Sequence, residues 1–251
     1  MDETAKIDLG RVLSRMGSMV GAMGLGGLAI AALVSGGTAV AMAALLQQFN
    51  PAATPDQILA TFFSPYYWLT ILVGTVIGVL VQAVLVRSAI VGGDVGGSVA
   101  LAIRRIGPLI GLALLSAIAI GLGMVLLIVP GIILYIMLVV SVPAMLEENA
   151  GVIESMKRSR ALTKGSRWRV FLLLLIFVIA YMVASGLVGA VVGVATTPES
   201  IGNMSWAAWA ISAVLATIVS LVAAALVASL YIELRTIKEG ASADALAGVF
   251  A

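Results

Sequence analysis

Five stretches of this chain contain no Asp, Glu, Lys or Arg: Gly17 to Leu46, Tyr66 to Val86, Gly107 to Leu146, Val170 to Val194 and Trp206 to Ile232. A helix needs roughly 20 apolar residues to cross a bilayer, and each of these is long enough. Of all residues 62% are hydrophobic and 10% charged, whereas soluble domains run at about 45–50% and about 25%. So much apolar surface belongs in lipid, where backbone polar groups must find partners within the chain and a helix supplies them. The expected fold is an all-α integral membrane protein, with residues 1–251 forming a single membrane domain.

The number of spans depends on the long run 107–146. Pro130-Gly131 is a turn signal, dividing it into a third span, Gly107 to Val129, and a short fourth, Ile132 to Leu146. One kinked helix would instead put Arg104 and Arg105 on the opposite face from the next basic segment. The second span, about Tyr66 to Arg87, opens with Tyr66, Tyr67 and Trp68. The sixth opens with Trp206 and Trp209, and both clusters suit the aromatic belt at a membrane–water interface. Between the first two spans, Thr54-Pro55-Asp56-Gln57 has the form of a capping box.

The placement of cations orients these six helices. Lys6, Arg11 and Arg15 precede the first span; Arg87, Arg104 and Arg105 lie between the second and third. Lys157, Arg158, Arg160, Lys164, Arg167 and Arg169 lie between the fourth and fifth, and Arg235 and Lys238 follow the sixth. These are all fourteen Lys and Arg residues, and the other three connections hold none. The positive-inside bias puts both termini and both basic loops in the cytoplasm, and any odd number of spans would break the pattern. There is no sign of a cleaved signal peptide at the start.

A basic amphipathic helix precedes each hairpin. Leu9, Val12, Leu13 and Met16 share one face of a short surface helix, and Val95, Val99, Ala102, Ile103 and Ile106 form a stripe on another. The chain thus reads as three parallel repeats of amphipathic helix plus transmembrane hairpin, at about 4–91, 94–146 and 151–236. Val95-Gly-Gly-Ser98 aligns with Val152-Ile-Glu-Ser155. Same-side entry of all three hairpins differs from the inverted repeats common in secondary transporters.

The basic segments are the candidate lipid-contacting surface: Arg104, Arg105, Lys157, Arg158, Arg160, Lys164, Arg167 and Arg169, with Trp168 among them. Juxtamembrane cations gain about 1 kcal/mol each near an anionic leaflet. Asn149 is the expected N-cap of the helix after it and Gly165 its stop, with Glu154 and Arg158 spaced to pair at i, i+4. Gly-x-x-x-Gly occurs at Gly17/Gly21, Gly74/Gly78, Gly107/Gly111 and Gly189/Gly193. Such pairs let helices approach closely in lipid, and packing within one subunit is expected over a dimer face.

No histidine and no cysteine occur, which excludes His-dependent triads, thiolate metal sites and disulfides. The spans contain no charge, unlike proton or ion pathways. Gln82 is the most polar interior side chain, and an interhelical hydrogen bond is its expected role. No catalytic, cofactor or metal residues are assigned.

Val142-Pro-Ala-Met-Leu-Glu-Glu-Asn-Ala-Gly-Val-Ile-Glu-Ser-Met-Lys-Arg-Ser-Arg-Ala-Leu-Thr-Lys-Gly-Ser-Arg-Trp-Arg169 and Tyr231-Ile-Glu-Leu-Arg-Thr-Ile-Lys-Glu-Gly240 resemble a bacterial family. It is the membrane domain found fused to some glycerophosphoryl diester phosphodiesterases and also occurring alone. The resemblance implies a six-helix bacterial inner-membrane protein linked to phospholipid metabolism. It carries no phosphodiesterase activity here, because that chemistry resides in a separate barrel with histidines. The function expected is that of a non-enzymatic accessory or scaffold subunit contacting anionic lipid, with a membrane-protein partner or a second copy and no nucleic acid. A transporter or passive pore for a lipid or small apolar solute is the alternative, ahead of an intramembrane enzyme.

Overall fold

The computed structural model describes residues 7–46, 56, 59–60, 63–194 and 206–240. Its regular structure there is helical throughout: α1 Leu9–Leu46, α2 Pro65–Ile90, α3 Val95–Arg104, α4 Ile106–Leu126, α5 Ile128–Leu138, α6 Ser141–Glu147, α7 Val152–Thr163, α8 Arg167–Val194 and α9 Trp206–Arg235, followed by a π-helical turn at Thr236–Gly240. Six stretches are long and apolar enough to cross a membrane: Gly10–Ser35, Pro65–Ile90, Ile106–Leu126, Ile128–Glu147, Arg167–Ala190 and Ala210–Gly240. The capping box at 54–57 lies, apart from residue 56, outside the described residues, and the side chains of Trp206 and Trp209 lie outside them too. Tyr66 and Trp68 are exposed at the start of α2, and Tyr67 meets Trp68 edge to face.

Three boundaries differ from the sequence reading. The first concerns α1, which is two helical segments meeting at a kink, so the amphipathic start is separate from the rest as expected but continues past Gly17 to Gly24. Its backbone turns at Gly24, where φ is 52° and ψ −153°, a conformation open to glycine and costly for other residues. Val12 and Met19 are buried in the bundle, so the opening segment is a packed part of the protein rather than a helix lying free on the surface. The second is the turn between the third and fourth spans, which falls at Leu127, with extended φ −162° and ψ 142°. Pro130 sits in the first turn of α5, where its missing N–H costs nothing. Gly131 faces Gly123, and a Cβ there would come within 2.8 Å of the Met124 backbone nitrogen. Pro130-Gly131 therefore marks a helix start and a close crossing. The third is a break at Val139–Val140, dividing the fourth span into α5 and α6.

Among the described residues, burial is concentrated towards one end of the bundle. On α2 the buried residues are Ala83 to Val86, Ser88 and Ala89; on α8 they include Val170, Leu173 and Leu174. Beyond these the helices present Leu69, Leu72, Ile176, Met182 and Leu187 outward, as lipid-facing surfaces do. One core cluster joins α1 and α5 to α9 through Val12, Ile136, Val140, Leu162, Val170 and Tyr231. A second joins α1, α2 and α9, and a third joins α2, α3, α4 and α6. On α3 the buried residues are Ser98 and Ala102, while Ile103 and Ile106 are exposed, so the inward stripe is narrower than its sequence suggested.

Close packing does not follow the glycine motifs. A Cβ at Gly17, Gly21, Gly74, Gly78, Gly107 or Gly189 would meet nothing within 4 Å among the described residues. Gly111 alone of the described set has a neighbour, Val152 Cγ2 at 3.4 Å; the surroundings of Gly193 are not described. Small residues do the work elsewhere: Ala224, Ala225 and Ala228 of α9 are fully buried against α1 and α2. A small-x-x-x-small signal, Ala224/Ala228, was present in the sequence without glycine. Nearby, Ser35 of α1 and Thr217 of α9 share a buried hydrogen bond of 2.5 Å.

Candidate functional site at the charged end of the bundle

The start of α1 and the ends of α2, α6 and α9 meet in one charged layer. Glu233 of α9, only 2% exposed, faces Arg11 at 3.3 Å and Arg15 at 3.5 Å. Arg87 of α2 pairs with Glu147 of α6 at 2.9 Å. Arg158 of α7 donates from Nε to both oxygens of Glu148, at 2.9 and 2.8 Å, and reaches Glu239 through Nη2. Glu239 also accepts from Arg235 at 2.7 Å, and Tyr231 donates to Glu148 at 3.0 Å. Hydrogen bonding to Glu148 raises the Arg158 pKa above its ordinary value, against the lowering effect of partial burial. Each of these four glutamates is thereby committed to arginine, and the layer ties five helices together.

The eight cations expected to contact lipid fall into distinct groups. Arg105 donates to Asn149 Oδ1 at 2.6 Å and to the Ala150 carbonyl at 3.2 Å. Arg158 is held as above, and Arg169 donates to the Ile7 carbonyl at 2.7 Å. Arg167 is half-buried, and its Nε has no hydrogen-bond partner. Arg104, Lys157, Arg160 and Lys164 are exposed, and no ion pair or side-chain hydrogen bond engages them among the described residues.

Local sequence sets this division on α7. The helix starts after Gly151, whose N–H donates to the Glu154 carboxylate at 3.3 Å. Glu154 is thus occupied at the helix start and does not pair with Arg158. Asn149 is not the N-cap: it adopts a left-handed φ of 53° and receives Arg105. Gly165, with φ +87°, follows the end of the helix as expected. Ser155, Ser159, Leu162 and Thr163 face inward and are buried. Lys157, Arg160 and Lys164, spaced i, i+3, i+7, form the outer stripe. Beyond it, Trp168 is 70% exposed and stacks on Phe171 at 5.2 Å.

The inner face of α7 reaches the broken span. Ser159 donates to the Met137 carbonyl at 2.8 Å, and Ser141 donates to that of Leu138 at 2.6 Å. Both carbonyls belong to the last turn of α5, where intrahelical donors run out. On the other side of the break, α2, α4, α5 and α6 line a half-open cavity of about 470 Å³. Its lining is mostly apolar, with Thr75, Gln82, Ser116, Tyr135 and Ser141 among it. Gln82 makes no interhelical hydrogen bond among the described residues, contrary to expectation, and lines this space instead. The Ser116 hydroxyl is buried without a partner. Nothing in the sequence announced the cavity, since it arises from the break in a span that reads as continuous.

A family model, described as the membrane domain of glycerophosphoryl diester phosphodiesterase, matches residues 111–244, more than half of the chain. The matched stretch contains the broken span, α7 and the glutamates of the charged layer. No curated protein and no solved structure matches the chain.

Proposed function

The chain belongs to the family of the membrane domain of glycerophosphoryl diester phosphodiesterase, and from that premise we propose that it is a non-enzymatic accessory or scaffold subunit that holds anionic lipid on its basic face. The matched part of the family is its membrane domain, not its catalytic domain. One observation carries the reading: Arg104, Lys157, Arg160 and Lys164 are exposed and engaged by no ion pair or side-chain hydrogen bond among the described residues, while neighbouring arginines are consumed in holding helices together. Cations that only oriented a loop would not need to be kept apart in this way. With about 1 kcal/mol from each near an anionic surface, the three on α7 account for roughly a hundredfold preference. In this reading the charged end lies on the cytoplasmic side of a bacterial inner membrane, in keeping with the positive-inside bias.

The test is lipid retention. The protein in nanodiscs of mixed phosphatidylglycerol and phosphatidylcholine is released and weighed by native mass spectrometry. Wild type keeps phosphatidylglycerol, and the variant K157Q/R160Q/K164Q loses that preference while retaining its melting temperature. An equal preference in the variant, or none in wild type, overturns the lipid-contact reading. The same spectra after gentle extraction from the native membrane test the accessory role: a co-purifying protein or several copies supports it, and a lone chain counts against it.

Three parallel units, at about 4–91, 94–146 and 151–236, describe the architecture we favour. Support comes from one repeated contact. Val95 opens α3 and lies 3.1 Å from the Cβ position of Gly26 in α1; Val152 opens α7 and lies 3.4 Å from that of Gly111 in α4. In each case the first residue of an amphipathic helix seats on a glycine of the preceding unit's first membrane helix. The serine three positions on, Ser98 or Ser155, is buried in both.

A further inference from the structure

We propose that the cavity between α2, α4 and the α5–α6 break binds the uncharged, hydroxyl- and ester-bearing end of a neutral glycerolipid, such as a diacylglycerol, entering sideways from the bilayer. At about 470 Å³ it falls within the usual range of ligand pockets, about 300–1,000 Å³, and has their usual make-up of apolar walls with a few convergent polar groups. Among the described residues no charged one lines it. A phosphate or ammonium placed there would be stripped of water without a counter-ion, so the lining selects a neutral polar group.

Two side chains supply the recognition. The Gln82 carboxamide offers two donors and an acceptor, and no hydrogen bond engages it among the described residues. The Ser116 hydroxyl is buried with no partner, and a buried polar group in that state normally meets a ligand or an ordered water. Gln82 lies five residues before Arg87, about 7.5 Å along the helix. The polar part of the cavity is therefore a step deeper than the charged layer, where a glycerolipid without phosphate rides lower than its charged neighbours. Tyr135 is half exposed and Thr75 exposed, so the cavity opens on the outer surface between helices. It is too small for a two-chain lipid, whose tails stay in the bilayer. Irregular backbone at membrane depth is tolerated where it lines a cavity, and the break at Val139–Val140 forms part of this wall.

The inference goes beyond the lipid-contact reading of the basic face and does not depend on it, since that reading concerns charged lipid on a different surface. The experiment uses the full chain in phosphatidylcholine nanodiscs containing a diacylglycerol with a diazirine close to its glycerol end. After irradiation, cross-linked peptides are mapped by mass spectrometry. Labelling is expected to concentrate on α2, α4 and the α5–α6 break, and unlabelled diacylglycerol, but not phosphatidylglycerol, should compete it away. Gln82→Leu and Ser116→Ala should each lower cavity labelling at least fivefold, leaving the exposed half of α8 labelled as before. Ser116→Ala keeps the shape of the site, so its effect reads the hydroxyl and not a loss of fold. Labelling spread evenly over the lipid-facing helices overturns the proposal. So does cavity labelling that phosphatidylglycerol competes equally, or that neither variant reduces, which would mark a space filled by water or acyl tails.

Discussion

Ser159 and Met137 are joined by a 2.8 Å hydrogen bond that couples the basic helix α7 to the broken membrane span. Ser159 is fully buried, and the carbonyl it serves is one of those left open where α5 ends. The two residues belong to elements of opposite character, a charged surface helix and a membrane segment without charge. The bond fixes the height of α7 against the bundle, and with it the position of the outward cations.

Removing that hydroxyl should therefore be felt in stability. Ser159→Ala takes the hydroxyl donor from a part-buried bond, at a cost of about 1 kcal/mol. Thermal unfolding in detergent should show a clearly lowered midpoint, whereas Ser14→Ala, whose hydroxyl bonds at an exposed position, should leave it nearly unchanged. Equal midpoints for the two variants would mean that the bond holds nothing.

Glu233 presents a sharper electrostatic case. Its carboxylate is buried between two arginines that water partly reaches, Arg11 more than Arg15. Glu233→Gln keeps the shape and removes the charge, leaving two guanidinium groups facing each other. Breaking a fully buried pair costs about 3–5 kcal/mol; solvent around the arginines reduces this to roughly 2 kcal/mol. Arg11→Gln should cost roughly 0.5 kcal/mol or less, because Arg15 remains to serve the carboxylate. Midpoints from the same detergent melts check the order, and a larger loss in Arg11→Gln would contradict it.

These pairings also show what was legible in the sequence. Five charge-free runs, with the longest divided near Pro130-Gly131, account for the six spans, because burying charge in lipid is costly and the charged breaks between runs record that cost. Partners were not legible. Arg158 has Glu154 one turn away, yet it bonds Glu148 and Glu239, the latter brought to it by the end of α9. Pro130-Gly131 carries the same signal whether it makes a turn or begins a helix, and only the approach of Gly123 and Met124 distinguishes the two. Glycine spacing says that a helix can be approached, not that another helix is there. Gln82 reads as an interhelical bond because a cavity cannot be inferred from residues that are apart in sequence.

The glycines give a direct test of this difference. At Gly131 an added methyl would lie 2.5 Å from Met124 Cγ and 2.8 Å from its backbone nitrogen. A backbone neighbour cannot swing aside, so Gly131→Ala should destabilise by about 1–3 kcal/mol. Gly78→Ala and Gly189→Ala place the methyl in open space. They should be neutral or raise stability by up to about 1 kcal/mol, since glycine is the weaker helix former. Melting midpoints decide, and a destabilised Gly189→Ala would point to a contact made only with another copy or a partner.

Neighbouring residues on α7 should separate holding the fold from holding lipid. Lys157 and Arg158 are adjacent, yet successive helical residues lie about 100° apart around the axis, and this rotation turns one outward and the other into the charged layer. Arg158→Gln removes the donor to both Glu148 and Glu239, leaving two carboxylates short of a partner. It should lower the melting midpoint by the equivalent of about 1–2 kcal/mol while phosphatidylglycerol retention stays near wild type. Lys157→Gln removes a cation with no engaged partner, so the midpoint should stand and phosphatidylglycerol retention fall by about fivefold, the effect of about 1 kcal/mol. The two measurements, made on the same nanodisc preparations, should cross over between the variants. Parallel losses in both would mean that the outward stripe is part of the same structural layer, and that the division between committed and free cations has no counterpart in lipid binding.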